Sequence, residues 1–254
     1  MSRIGKVEEY ILERIEEEHT IHSTLVDPDK TTPEEGLKIA KIAEEAGSSF
    51  LMIGGSLGVT ERLLDDMIIK IKEEVDIPVV LFPGNVSNIS KYADAIWFLS
   101  VLTSTSVYHI IGAQVQAAPI IKRYNIEAIP LAYVICGRGG TVGYVSYSRP
   151  IPYEKPEIAV AYALAAQYMG FRFVYLEAGS GQPPIPPSFI KRVNSVLEIP
   201  LVVGGGINSR ELARKATEAG ANIIVTGTIV ERTSNVRSAL REIIKGIEEA
   251  SKHA

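Results

Sequence analysis

A chain of 254 residues, 46% hydrophobic and 22% charged, carries enough apolar side chain for one substantial core, and α/β barrels commonly reach this length as a single domain. A formal net charge of -4 offers no general basic face to nucleic acid, while leaving room for a local anion site. With Cys136 as its one cysteine, the chain forms no intrachain disulfide and no cysteine-rich zinc site, which fits a reducing, cytoplasmic setting.

Residues 7–18 place Val7, Ile11, Leu12 and Ile15 at helical spacing among Glu8, Glu9, Glu13, Glu16, Glu17 and Glu18. Such acidity is the reverse of a signal or transit peptide, and no apolar run is long enough to span a bilayer. A soluble protein with no stable membrane anchor is expected. A strand over 22–26 ends in Asp27-Pro28-Asp29-Lys30. Thr32-Pro33-Glu34-Glu35 then supplies a hydroxyl N-cap, a proline in the first turn and acidic residues that complement the helix dipole, predicting a helix that runs to Ala46-Gly47. A strand over 50–53 ends in Gly54-Gly55-Ser56, a helix covers 60–75, and a strand over 79–82 ends in Pro83-Gly84-Asn85. Residues 86–92 read as a short helix or loop.

The alternation continues with a strand at 95–99, a helix at 107–124 and a strand at 128–135. A Gly/Tyr/Pro-rich segment, 137–156, separates that strand from a helix over 157–170. Strands follow at 173–176, 201–203 and 223–225, with helices at 187–197, from an Asn208 cap to Ala219, and at 235–250. Short β-branched strands alternating with amphipathic helices imply parallel strands joined by right-handed crossovers. Eight such units favour a single (β/α)8 TIM-like barrel with an extra N-terminal helix, the open doubly wound sheet being the alternative. In a barrel, reactive residues belong just after the C-terminal ends of the strands.

That is where the polar residues gather. Val202-Val203-Gly204-Gly205-Gly206 and Ile224-Val225-Thr226-Gly227-Thr228 both end strands in small residues whose backbone N–H groups can approach a phosphate. Tight βα turns would also use glycine, but two neighbouring loops at the usual phosphate-binding place favour the anion. Glu177 ends an otherwise apolar strand, with Tyr175 two residues back on the same face. It is read either as a structural partner of Arg138 or Arg172, or as a group that hydrogen-bonds or deprotonates a substrate hydroxyl. Asp27 is a candidate Mg2+ ligand, with the Ser56 hydroxyl close by, or else a turn residue bonding backbone N–H groups. The histidines His19, His22, His109 and His253 show no ligand spacing. Neither the serines nor Cys136 has a nucleophile's setting.

Asp27-Pro28-Asp29-Lys30, Gly54-Gly55-Ser56, Leu81-Phe82-Pro83-Gly84, Gly139-Gly140-Thr141-Val142-Gly143, Tyr175-Leu176-Glu177-Ala178-Gly179-Ser180-Gly181 and Gly204-Gly205-Gly206 occur in this order. Over nearly its whole length the chain resembles the geranylgeranylglyceryl phosphate synthases, in their longer archaeal form. The resemblance implies a Mg2+-dependent transfer of the prenyl group of geranylgeranyl diphosphate to the terminal hydroxyl of sn-glycerol 1-phosphate. It implies Mg2+ at Asp27 and Ser56, and glycerol phosphate at residues 175–181, Gly204, Gly205, Gly206, Gly227 and Thr228, with Glu177 and Tyr175 as the catalytic pair. A heptaprenyl-type enzyme with a longer donor, a sugar-phosphate isomerase or aldolase, and a non-catalytic phosphate-binding barrel are the rival readings. Ile110, Ile111, Val115 and Ile120 on one helix point to a homo-oligomer.

Overall fold

Most strand segments are apolar on both faces, which a chain tolerates only if one face meets a lumen core and the other a layer of helices. The computed structural model, which describes residues 4–55, 59–233 and 235–252, has that arrangement. β1 (Ile21–Val26), β2 (Phe50–Ile53), β3 (Val79–Leu81), β4 (Ala95–Val101), β5 (Glu127–Ile135), β6 (Phe173–Glu177), β7 (Leu201–Gly204) and β8 (Ile223–Thr226) pair in chain order, all parallel. β8 returns to β1 through Ile21↔Ile223 and Thr24↔Thr226, so the sheet closes into a barrel and the open-sheet alternative falls. Lumen-facing Phe50, Trp97 and Phe173 meet edge-to-face, with ring centroids 6.1 and 5.1 Å apart.

The N-terminal helix α1 (Lys6–Glu18) closes one end of this lumen. Its Ile11 is fully buried and Val7, Tyr10 and Ile15 pack on the lumen core. Gly5 has no side chain to cap the helix, and the Glu127 carboxylate at the start of β5 does so instead, accepting from Val7 N and Glu8 N at 2.8 Å each. Glu8 is completely buried and ion-pairs with Arg172 at the N-terminal end of β6. With that end stoppered, the opening lies at the C-terminal ends of the strands.

α2 (Pro33–Ala46) begins with the capping box its sequence calls for: Thr32 Oγ1 accepts from Glu35 N at 3.2 Å, and Glu35 Oε2 accepts from Thr32 N at 2.8 Å. α3 (Glu61–Lys72) follows β2, but no helix follows β3. Residues 82–94 form a loop because Pro83 and Gly84 open it and short polar side chains capture the backbone: Asn85 Oδ1 accepts from Ser87 N at 2.7 Å, and Asn88 Nδ2 donates to Val59 O at 2.8 Å. The expected helix over 107–124 is a π-helical turn, Tyr108–Gly112, running into α4 (Ala113–Tyr124).

The glycine-rich stretch after β5 contains a short helix, α5 (Gly140–Val145), which its low helix propensity concealed. Ser146 Oγ donates to Val142 O at 2.6 Å at its end. α6 (Pro156–Tyr168), α7 (Pro187–Asn194) and α8 (Arg210–Glu218) complete the next units. α8 is capped by Ser209, whose Oγ accepts from Leu212 N at 3.3 Å, and not by Asn208, which instead lines the cavity. A five-residue helix, α9 (Thr228–Arg232), unexpected from the sequence, precedes α10 (Val236–Ser251).

His22 is buried on the outer face of β1. Its Nδ1 pairs with Ser48 Oγ and its Nε2 with Thr226 Oγ1, both at 2.9 Å. Burial holds its pKa down at about 3, so it is a neutral core residue. His109 lines the outer part of the cavity, and His253 lies outside the described residues.

Candidate active site

The strand register decides which side chains meet at the open end. Tyr133 of β5 lies opposite Tyr175 of β6, Ile135 opposite Glu177, and Glu177 opposite Gly204 of β7. Alternation sends Tyr133, Tyr175 and Glu177 inward, and sends Leu176 and Ala178 outward into the core under the helices. The side chains of Leu176 and Ala178 therefore do not face the cavity. The N–H of Ala178 is also engaged, donating to Gly204 O at 3.1 Å.

Glu177 is buried and held on both oxygens. Oε2 accepts from the Tyr133 hydroxyl at 3.0 Å and Oε1 from Gly179 N at 2.6 Å, with Tyr175 as a further donor. Neither arginine weighed from the sequence is its partner: Arg172 pairs with Glu8 at the stoppered end, and Arg138 is exposed. Desolvation raises the Glu177 pKa, partly offset by these hydrogen bonds to the ionised form. Both tyrosines are pushed well above their ordinary value by burial first and the Glu177 charge second, so they stay protonated donors. Phe82, just after β3, stacks on Tyr175 with centroids 5.6 Å apart.

Tyr133 is the partner that motif reading overlooked. The available signal was a phenol on the inward face of β5, one step below the strand end, the same position Tyr175 holds on β6.

Three loops, after β6, β7 and β8, line the same cavity as this carboxylate. The N–H groups of Ser180, Gly181, Gly205, Gly206 and Gly227 donate to no acceptor among the described residues, and all five residues line the cavity, as does Thr228. Backbone donors left free at the rim of a folded core can serve an anion. Gly179 does not belong to this set, since its N–H serves Glu177. Gly205 has φ +83°, and a Cβ there would lie 2.5 Å from Glu177 Oε1 and 2.8 Å from Gly179 N. Only glycine fits that contact. The backbone of Gly139 and Gly140 packs against Gly179, so the motif before α5 braces the loop after β6.

Across the mouth, Asp27 directly follows β1. Its Oδ1 accepts from Asp29 N at 3.1 Å and its Oδ2 is 2.9 Å from Lys30 Nζ. The turn role and a cavity-facing carboxylate thus coexist. Gly55 packs against that carboxylate where a side chain would collide with it. Among the described residues no three His, Cys, Asp or Glu side chains cluster as a metal site. Ser56 lies outside the described residues.

These groups line one cavity of about 940 Å3. Beyond the polar mouth it continues as an apolar arm between the helix-free loop 82–94 and α4, past Ile89, Ile96, Phe98, Ala113, Ala117 and Ile121. With no helix after β3, that side of the cavity is covered by the loop 82–94.

Residues 13–247 match the PcrB family. The chain belongs to that family. It is 53% identical to geranylgeranylglyceryl phosphate synthase of Thermofilum pendens, over 97% of each chain, and 50% identical to that of Pyrococcus abyssi, over 96% of this chain and 97% of the relative. Among solved structures, (S)-3-O-geranylgeranylglyceryl phosphate synthase from Thermoplasma acidophilum, in complex with its substrate sn-glycerol-1-phosphate, superposes with a TM-score of 0.93 at 44% identity. That match covers 97% of this chain and 100% of the other. The barrel, the N-terminal helix and the family resemblance expected from the sequence are all present.

Proposed function

We propose that the chain is a prenyltransferase joining geranylgeranyl diphosphate to the terminal hydroxyl of sn-glycerol 1-phosphate, the first ether-bond step of archaeal membrane-lipid synthesis. One juxtaposition carries the reading. A cradle of free N–H groups, a buried carboxylate held by two phenols, and an apolar arm all open into one cavity. The names of the relatives, and the substrate in the Thermoplasma acidophilum structure, support the same chemistry.

The loops after β6, β7 and β8 hold the phosphate end, which fixes the terminal hydroxyl beside Glu177. As the hydroxyl oxygen bonds to the allylic carbon of the donor, its proton passes to Glu177. The bond from that carbon to the diphosphate breaks, and its electron pair leaves with pyrophosphate. Tyr133 and Tyr175 keep the carboxylate aimed throughout. Desolvation makes Glu177 a stronger base than a carboxylate in water.

Asp27 is our candidate Mg2+ ligand, with Ser56 as the partner implied by the family resemblance. A single cavity-facing carboxylate suffices for that ion, which binds through one or two carboxylates and fills its shell with waters and substrate phosphate oxygens. Asp27 Oδ2, paired here with Lys30, is the oxygen that would bind it. When bound, Mg2+ would neutralise the leaving diphosphate. An aldolase or isomerase would call for a lysine or a second acid/base group on a strand end beside Glu177, whereas the lysine at this mouth, Lys30, sits in the turn after β1.

No helix among the described residues is long and apolar enough to cross a membrane, so contact with the lipid-like product is proposed to be transient. A homo-oligomer is part of the same proposal. Val107, Ile111 and Val115 are 70%, 52% and 63% exposed along one side of the π-turn and α4, and a solution mass above that of one chain is the expected result.

Incubation with sn-glycerol 1-phosphate and donors of several lengths is expected to release pyrophosphate only with Mg2+, and fastest with the geranylgeranyl donor. Faster turnover of a longer donor would move the chain to the heptaprenyl type. No pyrophosphate release with any donor would leave a binding barrel.

A further inference from the structure

We infer that Lys30 is the side-chain cation that binds the diphosphate of the prenyl donor, held ready at the mouth as the counter-ion of Asp27 and Glu231. The inference rests on the prenyl-transfer reading and deepens it. Two anionic substrates must share a cavity that carboxylates already face: Asp27, Asp29, Glu177 and Glu231 all line it. Glycerol phosphate has the backbone cradle after β6, β7 and β8. The donor's diphosphate needs other donors, and Lys30 is the one Lys or Arg among the described lining residues.

Its geometry suits the task. Lys30 Nζ lies 2.9 Å from Asp27 Oδ2 and 3.0 Å from Glu231 Oε1, bridging the turn after β1 to α9. The root of the side chain is fixed, because Lys30 N donates to Asp27 O at 3.0 Å, while the side chain as a whole is 45% exposed. An ammonium has three donors, and two are engaged, so a diphosphate oxygen can be taken without releasing both carboxylates. A donor whose tail fills the arm beside β3 and β4 must bring its head to the acceptor cradle along the rim. On the β5 side of that rim, Arg138 is exposed and does not line the cavity. On the β1 side stands Lys30.

The test is calorimetric binding of inorganic pyrophosphate, with Mg2+ and separately with a chelator, to wild type, Lys30→Met and Lys30→Arg. Lys30→Met is expected to weaken pyrophosphate binding by about 10–100-fold in both buffers, the range of a lost charge-assisted contact. Its affinity for sn-glycerol 1-phosphate should stay within about twofold of wild type, and Lys30→Arg should keep most of the pyrophosphate affinity. Lys30→Gln serves in its place if Lys30→Met fails to fold. Pyrophosphate binding unchanged in Lys30→Met, or an equal loss of glycerol phosphate binding, would overturn the inference while leaving prenyl transfer by the wild type intact. A wild type that neither binds sn-glycerol 1-phosphate nor transfers a prenyl group would instead overturn the functional reading, and this assignment with it.

Discussion

Replacing Glu177 with glutamine is expected to lower the turnover of prenyl transfer by about 10²–10⁴-fold, the usual contribution of a positioned general base. The substitution is nearly isosteric. A glutamine oxygen still accepts from Gly179 N, and its amide can donate to the tyrosine hydroxyls, so the site is expected to stay folded. Binding of sn-glycerol 1-phosphate, measured calorimetrically, should change by no more than about fivefold, because the proposed phosphate contacts are backbone N–H groups elsewhere. Transfer at the wild-type rate in this variant would remove Glu177 from the chemistry.

The pH profile adds an independent reading. A base must be ionised to act, and burial raises the Glu177 pKa, so activity should fall away on the acid side at a higher pH than an ordinary carboxylate of about 4.3 would give. The Tyr133 hydrogen bond favours the ionised form and pulls the other way. Tyr133→Phe is therefore expected to move the acid limb to still higher pH. A limb that stays put would mean that the bond does not reach the titrating group.

The second large effect is expected at Gly205. Gly205→Ala forces a side chain into a left-handed backbone, φ +83°, and drives its Cβ against Glu177 Oε1 and Gly179 N. Misplacing the proposed base by about 1 Å can by itself cost about 10²-fold in kcat/KM, and the backbone strain should lower stability by about 1–3 kcal/mol. Gly170→Ala is the control. Gly170 has φ +88° with nothing within 4 Å of an added Cβ, and it lies beyond α6, away from the cavity. Thermal melts should show a loss in both variants, and steady-state kinetics a loss only in Gly205→Ala. Equal activity in the two would mean that the Gly205 contact does not position Glu177.

Much of this molecule was legible before its structure. The helix after β1 could be read to its first turn, since capping is a local transaction among Thr32, Pro33 and Glu35. The strand ends were legible for a related reason: Gly, Asp and Glu interrupt runs of β-branched residues wherever the chain leaves the core. Local chemistry also misled. Asn208 is as good a cap as Ser209, and only the path of the chain into the cavity decides between them. Gly139 and Gly140, which helped to hide α5, pack their backbone on the loop after β6, a contact between segments about 40 residues apart that no local window contains.

By itself, the sequence determined the order and type of most elements, the eightfold repeat of strand and crossover, and the inward face of Tyr175 and Glu177. Periodicity and capping depend on residues within a few positions of one another. Closure of β8 onto β1, the stopper made by α1 with Glu127 and Arg172, and the Tyr133–Glu177 bond were decided by tertiary structure alone. So was the position of Lys30 between Asp27 and Glu231. Each of these depends on register around a closed sheet. Register is the sum of every strand pairing in the barrel, and no single strand carries it.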